Sequence, residues 1–412
     1  MIEQMKPSGV DYLGDIPATW TAKRFKYCAQ ICNGGEYADI EIDEGGYPVI
    51  GSGGEFARAS KFCYQGESVL LGRKGTIDKP LYVNDAFWCV DTMFYTKAKF
   101  NMVPKFLYYC ALCFRFDYYV TSTALPSMTQ KDLGSEMIAV PPTEEQKQIA
   151  MFLDTQCSKL DSIIADLEKQ IDTLQKYKKS LITETVTKGL DKSVPMKDSG
   201  IEWIGKIPEQ WKIIRITKYL DSLVDYRGKT PEKVDDGVFL VTARNIKNGI
   251  VDYSLSQEYV AVEDYEEIMH RGKPQKGDVL FTTEAPLGEV ANVDNTDIAL
   301  AQRVIKFRGR KNCINNYYLK YWLMSLGFQS FLASLATGST ALGIAASKLG
   351  QLKMVLPTYD EQNEIVMKLD SVCGNIDAIV VTKKEQLENI QKHKKSLIYE
   401  YVTGKKRVTE VK

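Results

Sequence analysis

A lone cysteine pair and two histidines are the residues of this chain most suited to holding a metal ion. Cys110 and Cys113 form a single C-x-x-C, and the histidines are His270 and His393. Structural zinc sites need four such ligands, usually as two closely spaced pairs, and no second pair occurs here. The nine cysteines are odd in number and irregularly spread, so they do not form a disulfide framework. We expect no metal site and interpret Cys110 and Cys113 as reduced thiols packed on a helix.

The motifs that carry out bond chemistry are also missing from the sequence. There is no G-x4-G-K-[ST] loop for a nucleoside triphosphate. There is no Asn/Asp-Pro-Pro-aromatic motif of the kind used by amino-methyltransferases, and the nearest string, VPPT at 140–143, lacks both the acidic or amide residue and the aromatic. The glycine-rich string at 51–54 lacks the spacing of a dinucleotide site and is interpreted as a flexible turn. We predict that the chain is not an enzyme and binds no cofactor of its own.

Length and charge limit the remaining classes of protein. A chain of 412 residues is too long for one ordinary core and predicts two or more domains. It has 53 basic and 53 acidic residues, so any nucleic-acid contact depends on a local basic face. No apolar run is long enough for a membrane helix, and the first residues lack the apolar stretch of a signal peptide. We expect a cytoplasmic protein that is not associated with a membrane.

The elements that would position any binding residues are organised by two internal repeats. Residues 5–20 (MKPSGVDYLGDIPATW) match residues 196–211 (MKDSGIEWIGKIPEQW) without a gap. Residues 145–187 and 361–403 share an EQ start, a KKSLI string near the end and a preceding Pro-Thr. Proline before an acidic first turn is a helix-start signal. The second repeat therefore predicts one long helix closing each half of the chain.

Both predicted helices carry a heptad stripe. Leucine occurs every seven residues in the first, from 153 to 181, and an equivalent stripe interrupted by Lys383 runs along the second. Such stripes are typical of coiled coils, and we predict that the two helices pair as an intramolecular antiparallel coiled coil; a helical dimerisation arm is the alternative. The predicted seam consists of Leu153, Leu160, Ile164, Leu167, Ile171, Leu174, Leu181, Leu369, Ile376, Val380, Leu387, Ile390 and Leu397.

Between the repeats lie two regions, 21–141 and 212–356, rich in short β-type runs, turn residues and aromatics. Residues 66–71 and 277–281 are predicted to be matching strands, and the string STAL recurs at 122–125 and 339–342. The predicted fold class is α+β, with two mixed α/β domains alternating with two long helices. The predicted boundaries are 1–142, 143–190, 191–357 and 358–412.

With these repeats and domains, the chain resembles the specificity subunit of a type I restriction–modification system. The resemblance covers essentially the whole length. The SG-x5-IP-x2-W openings, the PT-x1-2-EQ-x2-I helix starts and the KKSLI helix ends carry it, each occurring twice and in order.

The resemblance implies a non-catalytic protein that binds double-stranded DNA. Each target-recognition domain would read one half of a bipartite site, and the paired helices would set the unread spacer. Two DNA adenine methyltransferase subunits would dock on the helices, and restriction subunits would complete the complex. S-adenosylmethionine and ATP with magnesium would bind to those partner subunits.

Given this resemblance, basic and amide residues in turns become candidates for DNA contact, because cations bind phosphates and planar donors read base edges. In the first domain the glycine-flanked string RKGT is the main candidate, with three flanking cations. In the second, the candidates come from the strings YRGKTP and TARNIKN and from a Gln-Arg pair after an apolar run. The predicted contacts are Arg58, Lys61, Arg73, Lys74, Thr76, Lys79, Tyr226, Arg227, Lys229, Arg244, Asn245, Lys247, Gln302 and Arg303.

Two other functions compete with this interpretation. A structural adaptor whose coiled coil dimerises and whose domains bind proteins would also fit the repeats. A fused enzyme is disfavoured because the sequence shows no catalytic constellation. Sequence-selective, salt-dependent DNA binding would separate the first hypothesis from the adaptor.

Overall fold

Two units make up the chain, and each combines one mixed α/β domain with part of both long helices. In this computed structural model the described residues are 4–119, 126–228, 230–337 and 342–408. Unit 1 comprises Met1–Glu168 with Lys384–Lys412, and unit 2 comprises Lys169–Lys383.

The first domain is built around a mixed seven-stranded sheet. The strands of the whole domain are β1 (Met5–Pro7), β2 (Asp15–Pro17), β3 (Thr21–Arg24), β4 (Ala29–Asn33), β5 (Glu41–Ile42), β6 (Tyr47–Gly51), β7 (Gly54–Ala59), β8 (Tyr64–Gly72), β9 (Leu81–Cys89), β10 (Met93–Ala98) and β11 (Met137–Val140). Its helices are α1 (Phe25–Cys28), α2 (Pro104–Ala111) and α3 (Gln130–Ser135), and the long helix α4 (Thr143–Lys188) follows. The sheet order is β4-β10-β8-β9-β6-β7-β5; β8 lies between β10 and β9, and its last five residues are buried.

The second domain divides its strands among several smaller sheets. Its strands are β12 (Met196–Asp198), β13 (Lys206–Pro208), β14 (Lys212–Arg215), β15 (Leu220–Asp225), β16 (Val238–Val241), β17 (Ile246–Lys247), β18 (Ile250–Val251), β19 (Tyr259–Val260), β20 (Val279–Thr283), β21 (Leu287–Asn292), β22 (Ile298–Leu300), β23 (Val304–Gly309) and β24 (Lys353–Leu356). Its helices are α5 (Tyr265–Ile268), α6 (Asn316–Met324) and α7 (Leu326–Leu335), and the long helix α8 (Tyr359–Val402) follows. The largest sheet has the order β15-β23-β20-β21.

The apolar runs noted in the sequence form the central strands of both domains. β8 pairs antiparallel with β9 and β10, and β20 pairs antiparallel with β21 and β23. All five residues of β20 are buried, as a strand with both faces covered requires. The first STAL string and all of the second except Leu342 lie outside the described residues.

Burial along the long helices follows the heptad stripe. Every predicted seam residue is buried or half-buried, and the remaining positions from 158 to 177 and from 374 to 393 are exposed, apart from the half-buried Lys383. Apolar residues at this spacing form one narrow face of a helix. The rest of each helix in these stretches faces water.

Side chains connect α4 to α8 within each unit. In unit 2, the Lys178 Nζ lies 2.6 Å from an Asp377 carboxylate oxygen, and Lys383 donates to Gln170 at 2.5 Å. Thus, as the residue number rises on α4, it falls on α8. Lys383, which interrupts the apolar stripe, is accommodated by extending its ammonium to an amide on the neighbouring helix.

The same relation holds in unit 1. Lys394 lies 2.5 Å from the Asp161 carboxylate, and the rings of Phe152 and Tyr401 lie 4.5 Å apart. Lys394 and Asp161 are the repeat equivalents of Lys178 and Asp377. The internal repeat therefore extends to individual ion pairs between the helices.

Candidate nucleic-acid interface

A tryptophan–glutamate contact ties each domain to the start of its helix. The Trp20 indole N–H donates to Glu145 at 3.0 Å, and that of Trp211 donates to Glu361 at 3.2 Å. Both indoles are almost completely buried, and a buried indole N–H needs such an acceptor. The IP-x2-W openings of the sequence therefore place an anchor at the same position in both units.

Further polar contacts repeat beside these anchors. Tyr109 donates to Asp154 and Tyr321 donates to Asp370, each at 2.6 Å. Burial raises the pKa of both tyrosines, and the hydrogen bond and charge of each carboxylate raise it further. Each hydroxyl therefore stays protonated and holds a domain helix against a long helix.

In the second domain, the ends of three neighbouring strands lie side by side at one end of the sheet. Asp225 at the end of β15 pairs with Ile305, and Thr282 near the end of β20 pairs with Val304 at the start of β23. The loops that leave these ends carry Arg227 and the Gln302-Arg303 pair. Sheet register thus brings together residues that lie some 75 positions apart in sequence, as expected for antiparallel neighbours.

A cleft of about 200 Å³ opens beside this end of the sheet. Candidates from separate parts of the sequence line it, namely Arg244, Gln302 and Arg303, together with Thr230 and Lys233. Arg244 and Arg303 are exposed. The cleft therefore presents two guanidinium groups and an amide together, which are donors suited to phosphates and purine edges. The Lys233 ammonium is paired at 2.7 Å with Glu258, a carboxylate that also lines the cleft.

Two contacts orient the donors in this cleft. Thr230 donates its hydroxyl hydrogen to the Gln302 side-chain oxygen at 2.9 Å, which leaves the Gln302 amide nitrogen as the group that can donate outward. The Arg303 Nε lies 3.0 Å from a Glu284 carboxylate oxygen. Held in this way, the outer guanidinium nitrogens of Arg303 retain the fork that matches guanine O6 and N7.

Arg227 is held more tightly than the other candidates. It forms an ion pair with Asp225 and donates to the Ile344 carbonyl at 2.9 Å. Burial raises the pKa of Asp225, but the hydrogen bonds and charge of Arg227 outweigh it and hold that pKa below its ordinary value. Arg227 therefore has part of its donor set already used within the domain, and it is not among the residues that line the cleft.

Two predicted contacts in the second domain are wrong in role. Asn245 is completely buried; its side-chain oxygen accepts from Thr242, and its nitrogen donates to the carbonyls of Asp252 and Ser256. Tyr226 is 7% exposed and donates to the Gly272 carbonyl. Both polar groups are used inside the domain, so neither is presented to a base edge.

The other two candidates of this domain lie elsewhere. Lys247 is exposed on the β17–β18 hairpin and is not among the residues that line the cleft. Lys229 lies outside the described residues.

In the first domain, the RKGT loop leaves the end of the central strand β8. The Arg73 Nη1 donates to the Asp91 carbonyl at 3.2 Å, and its guanidinium lies 6.0 Å from the Phe94 ring. Gly75 has φ +80° and donates to the Pro126 carbonyl. Lys74 is exposed, whereas Thr76 is half-buried. The loop is therefore braced from two sides and presents Lys74 to solvent.

The sheet register places the cations predicted to flank this loop at different levels of the sheet. Lys79 stands just before β9, whose first residue pairs with Leu70 near the end of β8. Arg58 pairs with Pro48 at the level of Phe87, six residues further along β9, or about 20 Å at the usual strand rise. Lys61 stands three residues before the start of β8, whereas the RKGT loop leaves the end of that nine-residue strand. The prediction that Arg58 and Lys61 flank the RKGT loop is thus wrong, whereas Lys79 lies at the same end of the sheet.

Sequence reasoning did not select the polar residues that orient the cleft. Thr230, Lys233 and Glu284 were absent from the predicted set, yet they line the cleft or hold its donors. Thr230 stands inside the basic string YRGKTP, which is the one signal that could have identified it.

The cysteine pair is buried in the first domain. Cys110 lies on α2, and burial raises its pKa well above the ordinary value. Burial also raises the pKa of Cys113 to about 12. Both thiols are therefore protonated at neutral pH. Within residues 4–119, 126–228, 230–337 and 342–408, no cluster of three metal-ligating side chains occurs.

Among the described helices, none has both the length and the apolar character needed to cross a membrane.

Comparison with known proteins places this architecture in a family. The model of the type I restriction modification DNA specificity domain matches residues 17–173 and 208–389. Those two matches cover most of the chain and coincide with its two halves. The chain belongs to this family, which confirms the resemblance found in the sequence.

Individual relatives agree with this assignment. The chain is 30% identical over 293 residues to the type I restriction enzyme MjaVIII specificity subunit of Methanocaldococcus jannaschii, covering 69% of this chain and 66% of that relative. It is 23% identical to the type I restriction enzyme EcoBI specificity subunit of Escherichia coli, covering 69% of this chain and 61% of that relative. The alignments thus span slightly less than two thirds of these relatives.

A solved structure shares the fold. It comes from work on complex assembly and conformational transition of the type I R-M system, and its chain superposes with a TM-score of 0.66 at 15% identity. The match covers 94% of this chain and 98% of that chain.

Proposed function

We propose that this chain is the non-catalytic DNA-reading subunit of a type I restriction–modification complex. Each domain reads one half of a bipartite site in double-stranded DNA. The family membership, the internal repeat and the donor-lined cleft of the second domain support this function. A location in the cytoplasm, where such a complex meets its DNA, follows from it.

The cleft lined by Arg244, Gln302 and Arg303 carries the proposal. Two arginine forks and an oriented amide at one end of the sheet can form the bidentate contacts that distinguish purines in the major groove. In the first domain we propose that Arg73, Lys74 and Thr76 occupy the corresponding place, with Lys79 on a phosphate.

We further propose that α4 and α8 pair as an antiparallel coiled coil that sets the unread spacer. The interhelix contacts within each unit and the buried heptad face support this pairing. At about 1.5 Å per residue, the 46 residues of α4 extend about 69 Å, long enough to separate two DNA half-sites.

The partners follow from the same function. The helices dock two DNA adenine methyltransferase subunits, and restriction subunits complete the complex. S-adenosylmethionine and ATP with magnesium act on those subunits and not on this chain.

A methylation map tests the proposal. The chain is co-expressed with its methyltransferase subunit in a methylation-free host, and N6-methyladenine is located by single-molecule sequencing. One interrupted, asymmetric motif that disappears when this chain is omitted is the expected result. A correctly assembled complex that adds no methylation would refute DNA reading and leave the adaptor function.

A further inference from the structure

The C-terminal segment fills a slot beside Trp20 in unit 1. Helix α8 ends at Val402, and Gly404, with φ +72°, turns the chain back towards Trp20. The Arg407 guanidinium lies 5.7 Å from the Trp20 ring and forms an ion pair with Glu145, the acceptor of the Trp20 indole. The slot therefore holds a guanidinium between an aromatic face and a carboxylate, a favourable site for arginine.

The equivalent place in unit 2 is a cavity of about 100 Å³. Gly189, with φ +77°, follows α4 and lies against Trp211 as Gly404 lies against Trp20. Trp211 and Glu361 line the cavity and are joined by the same indole–carboxylate bond. A volume of 100 Å³ equals about three water molecules, which suits a planar guanidinium head.

Lys192, the counterpart of Arg407 in position after the glycine, does not occupy this cavity. Lys192 stands three residues after Gly189, as Arg407 stands three residues after Gly404. Its ammonium instead pairs with Glu184 at 3.1 Å, and its side chain is 80% exposed.

The cavity is also more acidic than its counterpart. Glu364 lines it, whereas the repeat equivalent in unit 1 is the uncharged Gln148. Asp191 adds another carboxylate, with one oxygen accepting from Ser193. An entering cation would thus meet an indole face and the carboxylates of Glu364 and Asp191. Glu361 is already engaged, since one oxygen accepts from Trp211 and the other from Thr358, and the exposed Lys188 also lines the cavity.

We propose that the cavity beside Trp211 receives an arginine side chain from a partner protein bound to unit 2. Leu190 lies at the same cavity and is 44% exposed, which offers an apolar contact to the backbone or neighbouring side chain of such a partner. The occupied slot of unit 1 shows that the shared tryptophan–glutamate arrangement accepts an arginine carried by a peptide. Unit 2 has the same tryptophan–glutamate arrangement, but the residues that follow Gly189 place no arginine beside Trp211.

A peptide taken from this chain provides the probe. The pentapeptide GKKRV, residues 404–408, is titrated calorimetrically into the full chain. We expect one binding site, with affinity reduced about tenfold or more when the peptide's arginine is replaced by alanine, because both the cation–π contact and the ion pairs are lost.

Glu364→Gln, which installs the unit 1 residue type, should weaken binding about fivefold by removing one charge-assisted contact. Glu385→Gln, on an exposed part of the same helix, is the matched control and should change nothing. Absence of binding, or binding indifferent to Glu364→Gln, would overturn the site. If the peptide instead bound beside Trp20 by displacing residues 404–408 of the chain, its binding would be indifferent to Glu364→Gln.

The partner is tested separately, and this arm rests on the proposed function. In the complex assembled with methyltransferase subunits, the peptide should no longer bind, because a partner arginine fills the cavity. Unchanged peptide binding to that complex would refute the partner arginine. The peptide experiment with the isolated chain does not depend on DNA reading, so the two failures can be distinguished.

Discussion

Removing Arg303 should erase discrimination at one base pair of one half-site. Arg303→Ala deletes the guanidinium fork that Glu284 orients at 3.0 Å in the cleft. That ion pair is about half exposed, at 48% and 44% of the two side chains, so its loss costs at most about 1 kcal/mol of stability. A bidentate arginine–guanine contact contributes about 1–3 kcal/mol of discrimination, or roughly 5- to 150-fold. Specificity should therefore fall much more than stability.

The assay compares affinities of the assembled complex for a panel of DNA duplexes. The duplexes carry the mapped motif with each position substituted in turn, at fixed salt. Arg215→Ala, which removes an exposed arginine on β14 outside the cleft, is the control and should leave the panel unchanged.

Two results would refute the reasoning. A uniform loss of affinity across all sequences, with a salt slope reduced by about one, would show that Arg303 contacts a phosphate and not a base. Altered discrimination in both half-sites would show that the cleft does not serve one half-site alone.

Three stability predictions follow from other contacts. Asn245→Ala removes the two carbonyl contacts of a fully buried amide and should lower the free energy of unfolding by about 2–3 kcal/mol in urea titrations; a loss below 1 kcal/mol would contradict its bracing role. Gly404→Ala should be more destabilising than Gly9→Ala, because both have left-handed φ but only at 404 would the added Cβ meet a proline ring at 2.4 Å; equal thermal shifts would exclude the clash. Lys178→Ala and Lys394→Ala should each cost about 1 kcal/mol, since each removes one repeat-related ion pair, and the double variant should show the sum. Strong non-additivity would mean that the two pairs are coupled.

The cleft illustrates how far residue types alone could go. The sequence identified Arg244, Gln302 and Arg303 as candidates because guanidinium and amide groups in turns suit base edges. It could not separate them from Asn245, which has the same chemistry and lies next to Arg244. Only the fold shows that Asn245 points inward and satisfies two backbone carbonyls.

The family, the repeated halves and the two long helices could be predicted from the amino-acid sequence alone. These features depend on motif order and on the seven-residue spacing of leucines, which are local properties of the chain. The tertiary structure decided which cations lie together. Strand register placed Arg58 about 20 Å from the end of the sheet that carries Arg73, and it brought Arg303 to the cleft beside Arg244. Register depends on pairing between distant segments, and no periodicity within either segment encodes it.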